Sequence, residues 1–435
     1  GTLVVRGTAE QPVRFTRLDP DAAWGSIVLT ELATSASFVD LDDYDSGSIL
    51  EHAELSGAER TVEVRGSSPY LHAVDFHDNA LPSTSDTVGG AALLIADGSR
   101  SRVRGCTFRD NHAEIFAFGG AVYVDQADPI LQGNTFSGND STYGGALATD
   151  RMASPIVGNT FTGNTTISEG GAISLVSTVS ALVHNTMTEN HAAEDGGAVH
   201  VCVTCFPHAA PALIGNTITG NTVGHDDAAD GAAGVGAAYL RGMVDNVITD
   251  NTLSDGGPSD FGWYHPLDAG YADWVAHPSV AGNWWGTTDP GAIAATIHDG
   301  EDADALGTLS VEPVLQGPPE GPTLRLVLST RKLHYGTPGE DMPVFLTLVN
   351  PGEARRLTLS LQVDGAPWSG ALELPGEPAG DGTWTIDLPE DSVAFAVIEQ
   401  GGWDGVEGER VWTASLADAG GEILTTGAAR MDLGE

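Results

Sequence analysis

Apolar and polar positions alternate in a short phrase that returns about every 25 to 30 residues from the middle of the chain onward. Its copies are Gly133–Asn139, Gly158–Asn164, His184–Asn190, Gly215–Asn221 and Asp245–Asn251, with a looser one at Gly105–Asn111. Phe108, Phe136, Phe161, Met187, Ile218 and Ile248 fill one apolar column between polar neighbours, the period-2 signature of a half-buried strand. A second column, Val103, Leu131, Ile156, Leu182, Leu213 and Met243, precedes the phrase. A third, Val122, Leu147, Ile173 and Val199, follows a Gly-Gly-Ala, with Tyr123, Ala148, Ser174 and His200 alternating outward. Three short strands per repeat, separated by Gly, Asn and Asp turns, leave no room for a helix. The pattern predicts a coil that stacks on the next in parallel register, about 4.8 Å per turn, and roughly 10 to 12 coils in all.

Asn134, Asn159, Asn185, Asn216 and Asn246 share a face with the buried columns. Identical amides stacked at strand spacing can bond along a ladder. The other reading is ordinary turn asparagines that tolerate left-handed backbone.

Three stretches carry a family resemblance: Gly7–Thr16 with Trp24-Gly25, the repeated Asn-Thr-x-x-x-Asn coils, and Asn283-Trp-Trp-Gly-Thr-Thr-Asp-Pro290. They resemble the right-handed parallel β-helix proteins with pectin-lyase-like folds, the last stretch being similar to a motif that closes bacterial surface solenoids. The resemblance spans residues 1 to about 316 and implies fold more than activity, since this fold hosts lyases, hydrolases, adhesins and stalks alike.

After a turn-rich joint at residues 317–321 the phrase disappears. Residues 322–435 carry runs at Leu324–Leu328, Val344–Val349, Leu357–Val363, Thr383–Leu388, Ala394–Ile398 and Arg410–Leu416. They predict an antiparallel β-sandwich with Trp384 and Trp412 in its core, similar to the immunoglobulin-like modules of bacterial surface proteins. The expected fold class is all-β, with a parallel β-helix over 1–316 and the sandwich over 322–435. One short helix is expected near Pro290–Ile297, where Asp289-Pro290 forms a start signal.

Charge narrows the partners. Sixty Asp and Glu stand against 18 Lys and Arg, a net charge of −42, and Lys332 is the one lysine. Nucleic acid needs a basic footprint and is excluded as a partner. An anionic polysaccharide is repelled unless cations bridge it. Such acidity also suits high ionic strength. No apolar run approaches 18 residues, so no membrane span is expected. The first residues read as no signal peptide. A strand pattern already running at Leu3-Val-Val5 reads as a mature fragment or the ordered part of something longer. Of three cysteines, Cys106 reads as a core residue, and Cys202 with Cys205 as a local disulfide.

Chemistry is sparse. A hydrolase needs paired carboxylates, and Asp78 and Asp110 alone could fall on neighbouring coils in the column before the turn asparagine. Gly138, Gly163 and Gly220 interrupt that column. Calcium is the one cofactor with candidate loops, at Asp40, Asp42, Asp43 and Asp45 and at Asp226, Asp227 and Asp230, though neither matches a hand motif and solvated acidic loops are the plainer reading. His184 and His200 read as surface histidines. Residues 252–282 hold Trp263, Tyr264 and Trp274, read either as a plug over the end of the core or as a glycan contact. The functional expectation is a non-catalytic extracellular or cell-surface stalk, adhesin or filament subunit. A secreted polysaccharide lyase or glycoside hydrolase, and a glycan-binding solenoid, are the alternatives. The N-terminal rung, read as uncapped by this sequence, is covered either by missing upstream residues or by a neighbouring subunit, and the second reading makes head-to-tail self-association a further expectation.

Overall fold

The computed structural model describes the chain apart from residues 20, 40–42, 84–88, 115, 203–210, 225–230, 238–239, 241, 264–279, 300–308, 310, 320–323, 331–332, 335–341, 351–352, 369–375, 381, 390–391, 401–407 and 435. Up to His298 it is a parallel β-solenoid. Strands from successive coils stack into parallel sheets of nine, nine, six and ten strands, which we call the first, second, third and fourth faces in chain order. Leu50, Leu71, Val103, Leu131 and Ile156 point inward from the first face, and Leu55, Phe76, Phe108, Phe136 and Phe161 from the second.

Two expectations need correction. The regular turn has four strands, because residues such as Thr165–Glu169 pair into a third face between the phrase and Gly-Gly-Ala. Most of these strands span only two residues, too short for an alternation to register in sequence. Six turns carry all four strands, flanked by turns that are less complete, so the regular stack is shorter than 10 to 12 coils.

Corner chemistry explains the phrase. The residue before each Asn adopts positive φ, as at Gly133 (61°), Gly158 (62°), Asp245 (56°), Asp78 (53°), Asp110 (55°) and Gly163 (63°). Glycine does so without strain, and Asp tolerates the left-handed region better than most residues. In the Gly-Gly-Ala corner, Gly145 is held by crowding instead, for a Cβ there would lie 2.3 Å from the Gly171 carbonyl oxygen.

Two ladders of buried amides run up these corners. In the first, Asn134, Asn159, Asn185, Asn216 and Asn246 each donate from Nδ2 to Oδ1 of the next coil's Asn, at 2.8–3.1 Å, ending on Asn283. The backbone N–H of each rung reaches the same oxygen, and Nδ2 also donates to a carbonyl of the preceding coil, as Asn159 does to Leu131. The second ladder links Asn79, Asn111, Asn139, Asn164, Asn190, Asn221 and Asn251 in the same way and ends on the Asp260 carboxylate. A buried amide in such a stack has its donors and acceptor satisfied, which removes the desolvation cost.

At the C-terminal end Phe261, Trp263, Trp285, Ile293 and Ile297 close the core. The helix Pro290–Ala294 follows, with Asp289 accepting from the Gly291 and Ala292 amides. Beyond it, Arg325–Thr330, Met342–Asn350 and Ser392–Gln400 form an antiparallel sheet. A second sheet, built around Arg355–Val363, Thr383–Leu388, Gly408–Ala417 and Ile423–Gly434, faces it across a core holding Leu346, Leu359, Trp384 and Trp412. The result is a β-sandwich, and it lies along the solenoid's flank. Val157, Ala181 and Val183 on the outside of the first face pack against Val327 and Val349, and Ala153 and Val179 against Phe345. Arg325 pairs with Asp245 at the edge of this contact.

Candidate functional site

Acid–base chemistry concentrates at the corner between the third and fourth faces. Just before each Gly-Gly stands a column of Phe118, Tyr143, Glu169 and Asp195, bridged in register from coil to coil. Its side chains lie over the outward residues of the fourth face, Tyr123, Ala148, Ser174 and His200. The lower part is aromatic: the Phe118 ring sits 5.0 Å from Tyr143 and 5.5 Å from Tyr123. The upper part is ionisable. His200 is 1% exposed, with Nδ1 3.2 Å from Glu169 Oε2 and Nε2 3.7 Å from Asp195 Oδ2. Neither ring nitrogen makes a hydrogen bond. Asp195 Oδ1 accepts from the Ala232 amide at 2.7 Å, and Ser168 donates to Glu194 at 2.5 Å.

Burial sets the protonation states. It pushes the Asp195 carboxyl up to about 7 against two backbone N–H bonds that pull the other way, and pushes the His200 imidazole down to about 4. Glu169 is raised by burial and then by the charge of Glu194. Each shift is the ordinary cost of placing charge in a low-dielectric site. Between pH 4 and 7 Asp195 and His200 are therefore both neutral, and the cluster stores or releases protons at either edge of that window. An imidazole fills the space between the two carboxyls, and the Asp195 side chain is only 10% exposed. The arrangement holds a proton well and leaves no gap for a glycosidic bond between its acids.

His200 is thus a buried member of this cluster and not a surface histidine. Sequence reading missed it because outward positions of the fourth face look solvent-facing until the Glu169–Asp195 column covers them. A hint was present: Asp195 precedes Gly196-Gly197 in frame with Glu169 before Gly170-Gly171. His184 is half-buried and pushed down to about 4, by burial and then by the positive charge of Arg325.

The other candidates fall elsewhere. Asp78 and Asp110 sit one coil apart at left-handed corners. His77 Nδ1 lies 2.7 Å from Asp78, and Arg109 lies 3.9 Å from Asp110. The glycines that share their column are there for the same backbone conformation, not to open a groove. Trp263 is fully buried in the closing core, which leaves no ring face for a sugar. Tyr264 and Trp274 lie outside the described residues, as do Asp40, Asp42, Asp226, Asp227 and Asp230. Asp45 accepts from the Ser37 and Ser46 hydroxyls, and the Asp43 carbonyl accepts from the Val39 amide. Among the described residues no group of three or more His, Cys, Asp or Glu is arranged to hold a metal ion. Cys202 is disulfide-bonded, Cys205 lies outside the described residues, and Cys106 is a buried free thiol pushed up to about 12 by burial.

Stacked parallel faces around one closed core define the class: a right-handed parallel β-helix. Residues 39–253, just under half of the chain, match the family described as the right handed beta helix region. No curated protein matches the chain. Among solved structures it is similar to a tailspike protein double mutant of E. coli bacteriophage HK620, with 10% identity, 81% of this chain and 69% of that chain covered, and a TM-score of 0.26. A second double mutant of that tailspike gives 12% identity, 86% and 80% coverage, and a TM-score of 0.23. Scores this low carry no argument about function. No helix among the described residues is long and apolar enough to cross a membrane.

Proposed function

We propose that the chain is a non-catalytic extracellular or cell-surface rod with a structural or adhesive role. The observation that carries this reading is the pair of amide ladders, which tie coil to coil from Asn79 to Asp260 and from Asn134 to Asn283. Every rung is bonded to both neighbours inside a dry core, so bending the stack breaks buried hydrogen bonds. A sandwich seated along the flank braces three coils at once, at Val157, Val183 and the half-buried Ile214. Strong negative charge keeps such rods soluble and apart from one another. The carboxyls point the same way: Asp78 and Asp110 serve left-handed corners, and Glu169 and Asp195 enclose an imidazole. Head-to-tail association belongs to the same reading, because an unpaired strand edge at the end of a solenoid templates pairing with another chain.

A panel of neutral and acidic polysaccharides tests the reading, scored both for retention of the intact chain and for reducing ends or unsaturated products. Retention or inertness without turnover is expected. Turnover that disappears in Glu169→Gln or Asp110→Ala would replace the rod with a polysaccharide-cleaving enzyme.

A further inference from the structure

Outward positions of the second face repeat as closely as the inward ones. Thr135, Thr160, Thr186, Thr217 and Val247 form one column, and Ser137, Thr162, Thr188, Thr219 and Thr249 the other, in unbroken register. Eight of these ten are threonines, none is charged and none is aromatic. In a chain of net charge −42 that is a neutral island. Thr135 is exposed and the other nine are half-buried, and the sandwich sits on the first face instead.

The island is also regular. Its strands pair residue for residue from Thr135 to Thr249 with no register shift, and the one ring pair beneath it, Phe136 on Phe161, stacks at 6°. The β-branched threonines are stiff at χ1. Neighbouring hydroxyls lie in line, 3.1 Å apart between Thr162 and Thr188 and 3.3 Å between Thr219 and Thr249. The outer surface is therefore a regular array of methyls and hydroxyls carried on backbone positions about 4.8 Å apart along the axis and about 6.6 Å apart across each rung, with some neighbouring hydroxyls drawn together in pairs.

We propose that this grid, from Thr135 to Thr249, binds the surface of ice. Its two spacings are close to the oxygen repeats on prism faces of hexagonal ice. Methyls with a hydroxyl beside each can hold water in a lattice without pulling it into separate hydration shells, which charges would do. A sugar polymer would favour aromatic platforms for its ring faces, and the grid has none. The same sheet in earlier rungs carries Arg14, Glu54, Asp75 and Arg109 outward and cannot form such a grid. This goes beyond the rod reading, which stands whether or not the face binds ice.

The test uses the full chain in ice-affinity partition, thermal hysteresis and crystal-shape assays, beside pull-downs on crystalline cellulose and chitin. The wild type should partition into growing ice and facet it. Thr162→Lys with Thr188→Lys, both on the solvent side, should abolish partition while leaving the melting temperature and circular dichroism unchanged. Thr107→Lys, on the charged part of the same sheet, should have no effect. A wild type left in the liquid, lysine variants that still partition, or retention on polysaccharide without ice partition would each overturn the proposal.

Discussion

Along the second face, the rungs up to Phe108 and those from Phe136 onward share one backbone register and one buried column, yet they hold together differently. The early rungs are stitched on the outside. Arg14 bonds Glu54 at 2.8 Å, His77 lies 3.3 Å from Glu54, and Arg109 bonds Asp75 at 2.9 Å. On the neighbouring first face Arg6 bonds Glu51 at 2.7 Å and His72 approaches the same carboxylate at 3.2 Å. Nine of the 18 basic residues precede Asp110. At the corner where the later rungs carry the first amide ladder, these have Ala53 and Val74, both buried and apolar. The later rungs add the first ladder to the second, which already links Asn79 to Asn111 in the early rungs, and show neutral threonine to water. The lesson is that register comes from the shared core and corners. How neighbouring coils are bonded is a separate choice, and placing the bonds inside frees the outer face for something else.

That contrast can be broken most forcefully from within. Asn159→Ala strips partners from the Asn134 amide and Nδ2, from the Leu131 carbonyl and from Asn185. Orphaned buried groups cost about 1–3 kcal/mol each, so a loss of roughly 3–5 kcal/mol is expected in urea denaturation, nearly independent of salt. A cost below about 1 kcal/mol would mean the ladder is not what binds the later rungs. Val183→Asp tests the brace by placing a charge in the apolar contact with Val327 and Val349. It should cost about 2 kcal/mol and speed proteolysis around residues 317–323 while the solenoid persists.

The pH dependence sharpens the comparison further, because the buried acids all belong to the later rungs. Asp195 is raised to about 7 from 3.8, so the folded state holds its proton more tightly than the unfolded chain. The stability this gives is complete below about pH 4 and is lost as pH rises through 7. His200 is lowered to about 4 from 6.5 and works oppositely, removing stability as pH falls from 6.5 to 4. The thermal midpoint of the wild type relative to Asp195→Asn should therefore fall from pH 4 to 7 and level off above. A parallel decline in both would show that Asp195 does not ionise in this window. The smallest effect belongs to the early rungs: Arg109→Ala removes a pair between half-exposed groups and should cost under about 1 kcal/mol, shrinking further in molar salt.

The solenoid and the sandwich strands were legible because periodicity of 2 and a fixed repeat survive in sequence whenever one face is buried. Five of the six strand runs expected after residue 322 lie within observed strands, and the sixth, Leu324–Leu328, starts one residue before the strand Arg325–Thr330. The second amide ladder was hidden because its asparagines occupy the turn position, where any β-turn also favours Asn. The seat of the sandwich had a signal that went unread. Val157, Val183 and Ile214 are apolar on the outward side of the first face, at the position where earlier coils have Glu51, His72 and Arg104. His200 was misread for a different reason: what covers it comes from the previous strand of its own coil and the coil before, which no single-strand pattern displays.

The ladders have a direction, and the direction carries a meaning for how such a chain changes over generations. Each amide donates toward the later coil and offers its oxygen to the earlier one, so all interior rungs present the same fitting above and below. A duplicated coil would slot into the stack without new chemistry, and a deleted one would leave its former neighbours able to join. Only the two ends are particular, since the last rung must offer an acceptor, as Asn283 and Asp260 do. The length of the stack is then open to change by whole coils, while the closing core around Trp285 is needed once.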